Sequence, residues 1–261
     1  MSELVVENAG SVRTLTLNRP AKLNAFTASL HAELRAALAM AIADDGIKVI
    51  VLTGEGRAFS SGQDLTEDLP RDDKGSIDLG PALERDYNPL IKQIIGSPKP
   101  IIAALNGPAV GASMNIALAC DIVLAARSAT LQEAFAKIAL IPDAGGTWLL
   151  PRLIGPKRAL ALMLTADPVP AEEALRLGLV YKLFEDASFR DDVAAFAAKL
   201  AQGPALAFRM IREAILASAD NDLAAQLALE AVLQRKAGAS HDFAEGVAAF
   251  LAKRAPQFQG R

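Results

Sequence analysis

One cysteine in 261 residues, Cys120, leaves no partner for an internal disulfide and too few thiols for a multi-cysteine zinc site. That usage fits a reducing compartment, and the expectation is a cytoplasmic protein. Histidine is almost as scarce: His31 and His241 are the two present. Their separation supplies no metal-ligand spacing, so no metal site is expected, and both read as structural or solvated. Neither sign of charge prevails, with 27 Lys and Arg against 30 Asp and Glu and a net charge of −3. Without a basic excess no nucleic acid is expected as partner, and an acidic ligand would need local basic groups or helix ends. Met1-Ser2-Glu3-Leu4 has no basic start and no long apolar run behind it, so no signal peptide is expected. The most apolar window, Ile101 to Ala126, is interrupted by Asn106, Pro108, Asn115 and Asp121. With Gly107 and Gly111 marking a turn, it reads as buried strand, turn and buried helix, not as a membrane span.

What is present is the composition of a folded chain, 52% hydrophobic and 22% charged. A chain of this length buries roughly 70–75% of its unfolded surface and needs no metal or disulfide staple. Val5 to Asn18 alternates around turn residues Asn8-Ala9-Gly10, predicting a β-hairpin. Thr27 is placed to cap a helix running to about Ala43, with Leu30, Leu34, Leu38 and Ile42 on one face. Lys48 to Thr53, Ile101 to Leu105 and Ile122 to Ala125 are short strands apolar on both faces, the mark of a parallel sheet with helical crossovers. Glu67 to Leu83, with Pro70, Gly75, Gly80 and Pro81, predicts a mobile loop, followed by a helix from about Glu84 to Ile95. From Ala159 onward the pattern reads as helical. The fold class is α/β, divided into a core over residues 1–199 and a helical C-terminal region over 200–261.

Several motifs fail on inspection. Gly54-Glu55-Gly56 lacks the third glycine and the helix of a dinucleotide fingerprint, and no GxxxxGK[ST] is present. Gly111-Ala112-Ser113-Met114-Asn115 resembles a nucleophile elbow, but its last position is not glycine and no base pairs with Ser113. Two glycine turns after buried strands remain, Ala58 to Leu65 and Asn106 to Ser113. They are either tight turns in a packed core or a pair of backbone N–H groups converging on one oxygen. Asp143, between an apolar run and Gly145-Gly146, reads as the cap of a helix beginning near Gly146. If it is buried, its raised pKa suits it to proton transfer.

Taken together, LNRPAKLNAF (Leu17 to Phe26), GRAFSSGQDL (Gly56 to Leu65), the NGPAVGA turn ending at Ala112, Cys120-Asp121-Ile122 and IPDAGGTWLLPRLIG (Ile141 to Gly155) resemble the crotonase, or enoyl-CoA hydratase/isomerase, superfamily over essentially the whole chain. The resemblance implies a spiral of ββα units with a helical C-terminal region that builds trimers, often paired into hexamers, and acyl-CoA thioesters as substrates. CoA is then part of the substrate, and no separate cofactor is implied.

By position, the resemblance implies that the N–H groups of Ser61 and Ala112 form an oxyanion hole for the thioester carbonyl. It implies CoA contacts at Lys22, Leu23, Ala58, Ser60, Gly62, Gln63, Asp64 and Leu65, with Lys253 reaching CoA phosphates. Hydratases of the family carry two glutamates that activate water, and ungapped matching places Asn115 and Phe135 there, residues that instead shape the acyl pocket. Loss of both proton-transfer groups costs about 10²–10⁴-fold each, so hydratase activity is expected to be weak. Asp143 occupies the position where isomerases of the family carry an acid/base residue. Asp86-Tyr87-Asn88-Pro89-Leu90, Ile141 to Arg152 and the tail Phe250 to Phe258 resemble the branch that isomerises ring-1,2-epoxyphenylacetyl-CoA to oxepin-CoA in phenylacetate catabolism. The expected function is an acyl-CoA isomerase acting on that epoxide, on enoyl-CoA double bonds, or on both. The alternatives are a hydratase that recruits another acid, with Glu133 as candidate, and a non-catalytic CoA-thioester-binding protein.

Overall fold

The computed structural model describes residues 2–67 and 71–261. Strands β1 (Leu4–Ala9) and β2 (Val12–Leu17) form the expected antiparallel hairpin. Helix α1 (Ala28–Ala43) follows and begins where predicted, because the Thr27 hydroxyl accepts from the Leu30 N–H. Strands β3 (Val49–Gly54), β4 (Ile101–Leu105), β6 (Ile122–Ala126) and β9 (Lys182–Phe184) join them in a six-stranded sheet ordered β1-β2-β3-β4-β6-β9, parallel from β2 onward. A second sheet holds β5 (Ala109–Val110), β7 (Thr130–Gln132) and β8 (Val169–Pro170).

The doubly apolar strands are explained by two cores. Ile50, Leu52, Ile101, Ala103 and Leu105 point to one face of the sheet, where Leu30, Leu34 and Leu38 of α1 pack. Val49, Val51, Ile102 and Ala104 point to the other, against Phe189, Val193 and Ala197. The period of two along each strand sends alternate residues to opposite cores.

Residues 68–70 of the predicted loop lie outside the described residues. From Arg71 the chain makes turns, with an antiparallel bridge from Arg71 to Ile77, and enters the single turn α2 (Gly80–Ala82). A π-helical turn, Leu83–Tyr87, then continues into α3 (Asn88–Ile95), in place of the uniform helix expected from Glu84. Pro89 has no N–H to donate to the Arg85 carbonyl, and the Arg35 guanidinium of α1 fills that vacancy at 2.8 Å. The irregular turn thereby docks α3 on α1.

Helices α4 (Ala112–Leu118), α5 (Gly146–Ile154), α6 (Pro156–Thr165), α7 (Ala171–Leu177), α8 (Phe189–Ala201), α9 (Ala205–Ala217), α10 (Leu223–Gly238) and α11 (His241–Leu251) complete the order. The reading of everything after Ala159 as helical needs correction, since β8 and β9 lie within it. Both are too short, at two and three residues, to show a period of their own. Among the described residues no helix is long and apolar enough to cross a membrane.

Asp121 of the Cys120-Asp121-Ile122 landmark is a structural tie. It accepts from the Ile101 N–H at 2.8 Å and pairs with Arg212 of α9 at 2.8 Å. Arg212 also donates to the carbonyls of Ile94 and Ile95, pinning the C-terminal helices to α3. Cys120 is buried, and that burial pushes its thiol above the ordinary value, so it is an inert core residue.

Candidate active site

Adjacent, parallel β3 and β4 place the turns that follow them side by side. Ser60 bridges to Ala109, and the Val110 N–H donates to the Ser60 carbonyl at 3.0 Å. Ser113 serves this junction: its hydroxyl lies 2.8 Å from the carbonyls of Ser60 and Val110, so no nucleophile sits there. Gly62 has φ +89°, and a Cβ there would stand 2.8 Å from the Val110 carbonyl oxygen. Only glycine brings the first turn this close to the start of α4.

The strip Lys22 to Phe26 lies along the first turn. The Phe26 N–H donates to Gly62 O at 2.7 Å, the Asp64 N–H to Phe26 O at 2.9 Å, and the Ser61 N–H to Leu23 O at 2.9 Å. That last bond corrects the expected oxyanion hole, because the Ser61 N–H is directed at Leu23 and is not free for a ligand. Among the described residues no acceptor partners the N–H of Gln63 or of Ala112. Sequence could not separate Ser61 from Gln63, since both flank the same glycine and only the pairing with Leu23 and Phe26 decides which N–H stays open.

Of the other expected contacts, Lys22 and Leu65 are exposed, Leu23 and Gln63 half-buried, and Ala58, Ser60, Gly62 and Asp64 buried. The Asp64 carboxylate is occupied internally. Hydrogen bonds from Thr66, and then the Arg19 guanidinium at 2.9 Å, hold its pKa down at about 2. Lys253 lies beyond α11 on the exposed tail.

Asp143 reaches the same region from the loop before α5. The expected helix cap does not form: Gly145 holds the cap position, and the Gly146 N–H bonds to the Asp143 backbone carbonyl at 2.8 Å, leaving the carboxyl group unused. Asp143 is half-buried, and its Oδ1 is enclosed without a hydrogen-bond partner. Desolvation raises its pKa to about 6, a value suited to exchanging protons near neutrality. Tyr87 stands close enough for the Asp143 charge to push its phenol further above the ordinary value, already raised by burial. Its hydroxyl donates to Gln63 Oε1 at 2.6 Å, linking the irregular turn before α3 to the residue with the open N–H. His31 is buried against Tyr87 and Phe26, at 4.2 and 4.8 Å between rings, and desolvation lowers its pKa to about 4, so it is a neutral packing residue.

Asn115 is fully enclosed, so it does not face an acyl group; its Nδ2 donates to the Asp143 carbonyl at 3.0 Å. Phe135 is buried beside Gly111. Glu133, two residues before Phe135, is 2% exposed, and neither of its carboxyl oxygens has a hydrogen-bond partner. Burial pushes it up to about 7, opposed by the Asn115 carboxamide and reinforced by the Asp143 charge. The site thus holds two carboxyl groups close to Asn115, the buried Glu133 and the half-buried Asp143, neither at the positions matched to the hydratase glutamates. Among the described residues no cluster suited to a metal ion occurs.

The family model for enoyl-CoA hydratase/isomerase matches residues 7–261, and the chain belongs to that family. It is 46% identical over 250 residues to a 1,2-epoxyphenylacetyl-CoA isomerase of Escherichia coli, covering 96% of this chain and 95% of the relative. It is 47% identical over 255 residues to a probable enoyl-CoA hydratase of Rhodobacter capsulatus, covering 98% and 97%. A solved putative enoyl-CoA hydratase from Streptomyces coelicolor superposes with a TM-score of 0.90 at 37% identity, covering 99% of this chain and 94% of that one. The α/β fold is that of the crotonase family, as the sequence landmarks imply.

Proposed function

We propose that the protein is an acyl-CoA isomerase in which Asp143 moves a proton and the N–H groups of Gln63 and Ala112 hold the thioester oxygen. Asp143 takes a proton from the carbon flanked by the thioester and the double bond. The electron pair moves onto the thioester oxygen, where two N–H groups stabilise the enolate. The same carboxyl then returns the proton at the far carbon as the pair flows back, so the double bond shifts with no net gain or loss. One carboxyl group suffices, and no cofactor beyond the CoA of the substrate enters. The observation that carries this reading is the half-buried Asp143 carboxyl, its Oδ1 enclosed without a partner on the loop that Asn115 of α4 holds, together with the open N–H groups of Gln63 and Ala112. Likeness to an epoxyphenylacetyl-CoA isomerase supports an aromatic ring-epoxide CoA thioester as the specific substrate.

The test incubates the protein with 3-enoyl-CoA and separately with crotonyl-CoA, following conjugated-thioester absorbance and product mass. A double-bond shift without added water is expected, with the rate rising through pH 6 as Asp143 ionises to become the base. Asp143→Asn should lower kcat by about 10²–10⁴-fold while CoA-ester binding survives. A variant that keeps most of its activity would sink the assignment. Addition of water to crotonyl-CoA favours the second reading, a hydratase, for which Glu133 supplies another carboxyl group close to Asp143.

A further inference from the structure

The two open N–H groups are not held alike. Ala112 is the first residue of α4, so the helix fixes its direction. Gln63 lies in no strand or helix, and its backbone pairing is an isolated bridge with Phe26. The Gly62 carbonyl accepts from the Phe26 N–H at 2.7 Å, and across a trans peptide the Gln63 N–H points the opposite way. Among the described residues no backbone bond holds Gln63 on that side. Its side chain is what is held. The Tyr87 hydroxyl donates to Gln63 Oε1 at 2.6 Å, whereas Nε2 makes only a long contact, 3.5 Å, with the Asp64 carbonyl.

We propose that Tyr87 is a positioning residue for the oxyanion hole, its hydroxyl fixing the Gln63 side chain and with it the direction of the Gln63 N–H. The phenol is set up for that one bond. Tyr87 is buried, ends the π-helical turn, and meets the His31 ring edge-on with 4.2 Å between centroids. Neither His31 nitrogen has a hydrogen-bond partner, so the imidazole does not compete for the hydroxyl. Four residues further along α1, Arg35 donates to the Arg85 carbonyl at 2.8 Å. One face of α1 therefore steadies both the ring and the turn that carries it. Burial, reinforced by the charges of Asp143, Asp86 and Glu67, keeps the phenol protonated and so a donor. The peptide that carries the Gln63 N–H also lies against the start of α4, since a Cβ on Gly62 would stand 3.8 Å from the Ala112 nitrogen. At that range a small rocking of Gln63 is enough to pull the two donors out of convergence. This inference rests on the N–H groups of Gln63 and Ala112 forming the oxyanion hole.

Tyr87→Phe keeps the ring and its packing and deletes only the hydroxyl. With 3-enoyl-CoA it should lower kcat by about 10–100-fold, less than outright loss of an oxyanion donor, with KM little changed. Gln63→Met breaks the same bond from the other end, leaves the backbone N–H in place, and should lose a similar factor. The double variant should be no slower than either single one, because all three lack one and the same bond. A second readout needs no turnover: each protein is saturated with acetoacetyl-CoA, whose enolate absorbs in the near ultraviolet, and titrated with pH. The pH at which the bound ligand is half enolate should rise by about one unit for each tenfold lost in kcat. If Tyr87→Phe fails to fold, Gln63→Met is measured alone, with the same rise expected. A Tyr87→Phe variant that loses stability in urea but keeps the wild-type enolate midpoint has a packing role only and overturns the proposal. Losses that multiply in the double variant overturn it as well. A wild type that shifts no double bond and holds no enolate refutes the functional reading, and this inference with it. A wild type that does both, beside a Tyr87→Phe variant that matches it, sinks this inference alone.

Discussion

Gly146 carries no side chain because the Asn115 carboxamide occupies the space a Cβ would need, with Nδ2, Cγ and Oδ1 all within 2.8 Å of it. Both atoms are held on purpose-built sides, Gly146 by its N–H bond to the Asp143 carbonyl and Asn115 by its amide bond to the same oxygen. Gly146→Ala must displace one of them. It should cost about 1–3 kcal/mol by overpacking, read as a lowered midpoint in urea, and should lower kcat more than it raises KM because Asp143 moves with Asn115. An alanine variant with wild-type stability and kcat would show that the contact is slack. Residue chemistry also explains why the sequence suggests Asp143 as a helix cap: an aspartate just ahead of a helix start is a favoured acceptor for the first free N–H groups. The left-handed Gly145 takes the cap position instead, and the carboxyl turns away toward an enclosed cluster that spacing cannot reveal.

At the scale of elements, helix α1 has its N-terminus closed by one side chain. Thr27 Oγ1 accepts from Leu30 N at 3.0 Å and donates to Glu3 Oε2 at 2.5 Å, tying the helix start to the first strand. Thr27→Ala removes both bonds and should destabilise the protein by about 1–2 kcal/mol, measured as a fall in the urea midpoint with unchanged m. A cost near zero would mean that water replaces the hydroxyl. The boundaries of α1 and β4 were legible because each follows from a local signal, a cap in one case and a run bounded by prolines and Asn106 in the other. The π-helical turn before α3 was not legible. Its irregularity depends on Pro89 together with Arg35, an arginine 54 positions away in sequence that satisfies the carbonyl proline leaves open.

At the scale of the molecule, the C-terminal helices leave a broad apolar surface uncovered: Phe250 is 82% exposed, Leu251 75%, Leu223 74% and Ile215 67%. Exposed apolar area of this kind marks an association surface, and the family resemblance implies trimers. Sedimentation equilibrium should therefore give three or six times 27.4 kDa; a mass of one chain at micromolar concentration would contradict it. Arg212 sets where that surface stands, since its ion pair with Asp121 and its bonds to Ile94 and Ile95 orient α9 against the sheet and α3.

The sequence by itself determined the alternation of strands, the glycine turns, the helix cap at Thr27 and the family landmarks, because each is a pattern of neighbours along the chain. It also placed Asp143 and Ala112 among the candidate groups. Only the tertiary structure decided that the Ser61 N–H belongs to Leu23 while that of Gln63 stays open, that Tyr87 reaches Gln63, and that Glu133 is buried close to Asn115 and Asp143. Those facts depend on which atoms meet across the fold, and on how much water is excluded when they do. Hydrogen-bond partners and desolvation are properties of packed neighbours, so the chemistry of these groups exists only once the chain has closed around them.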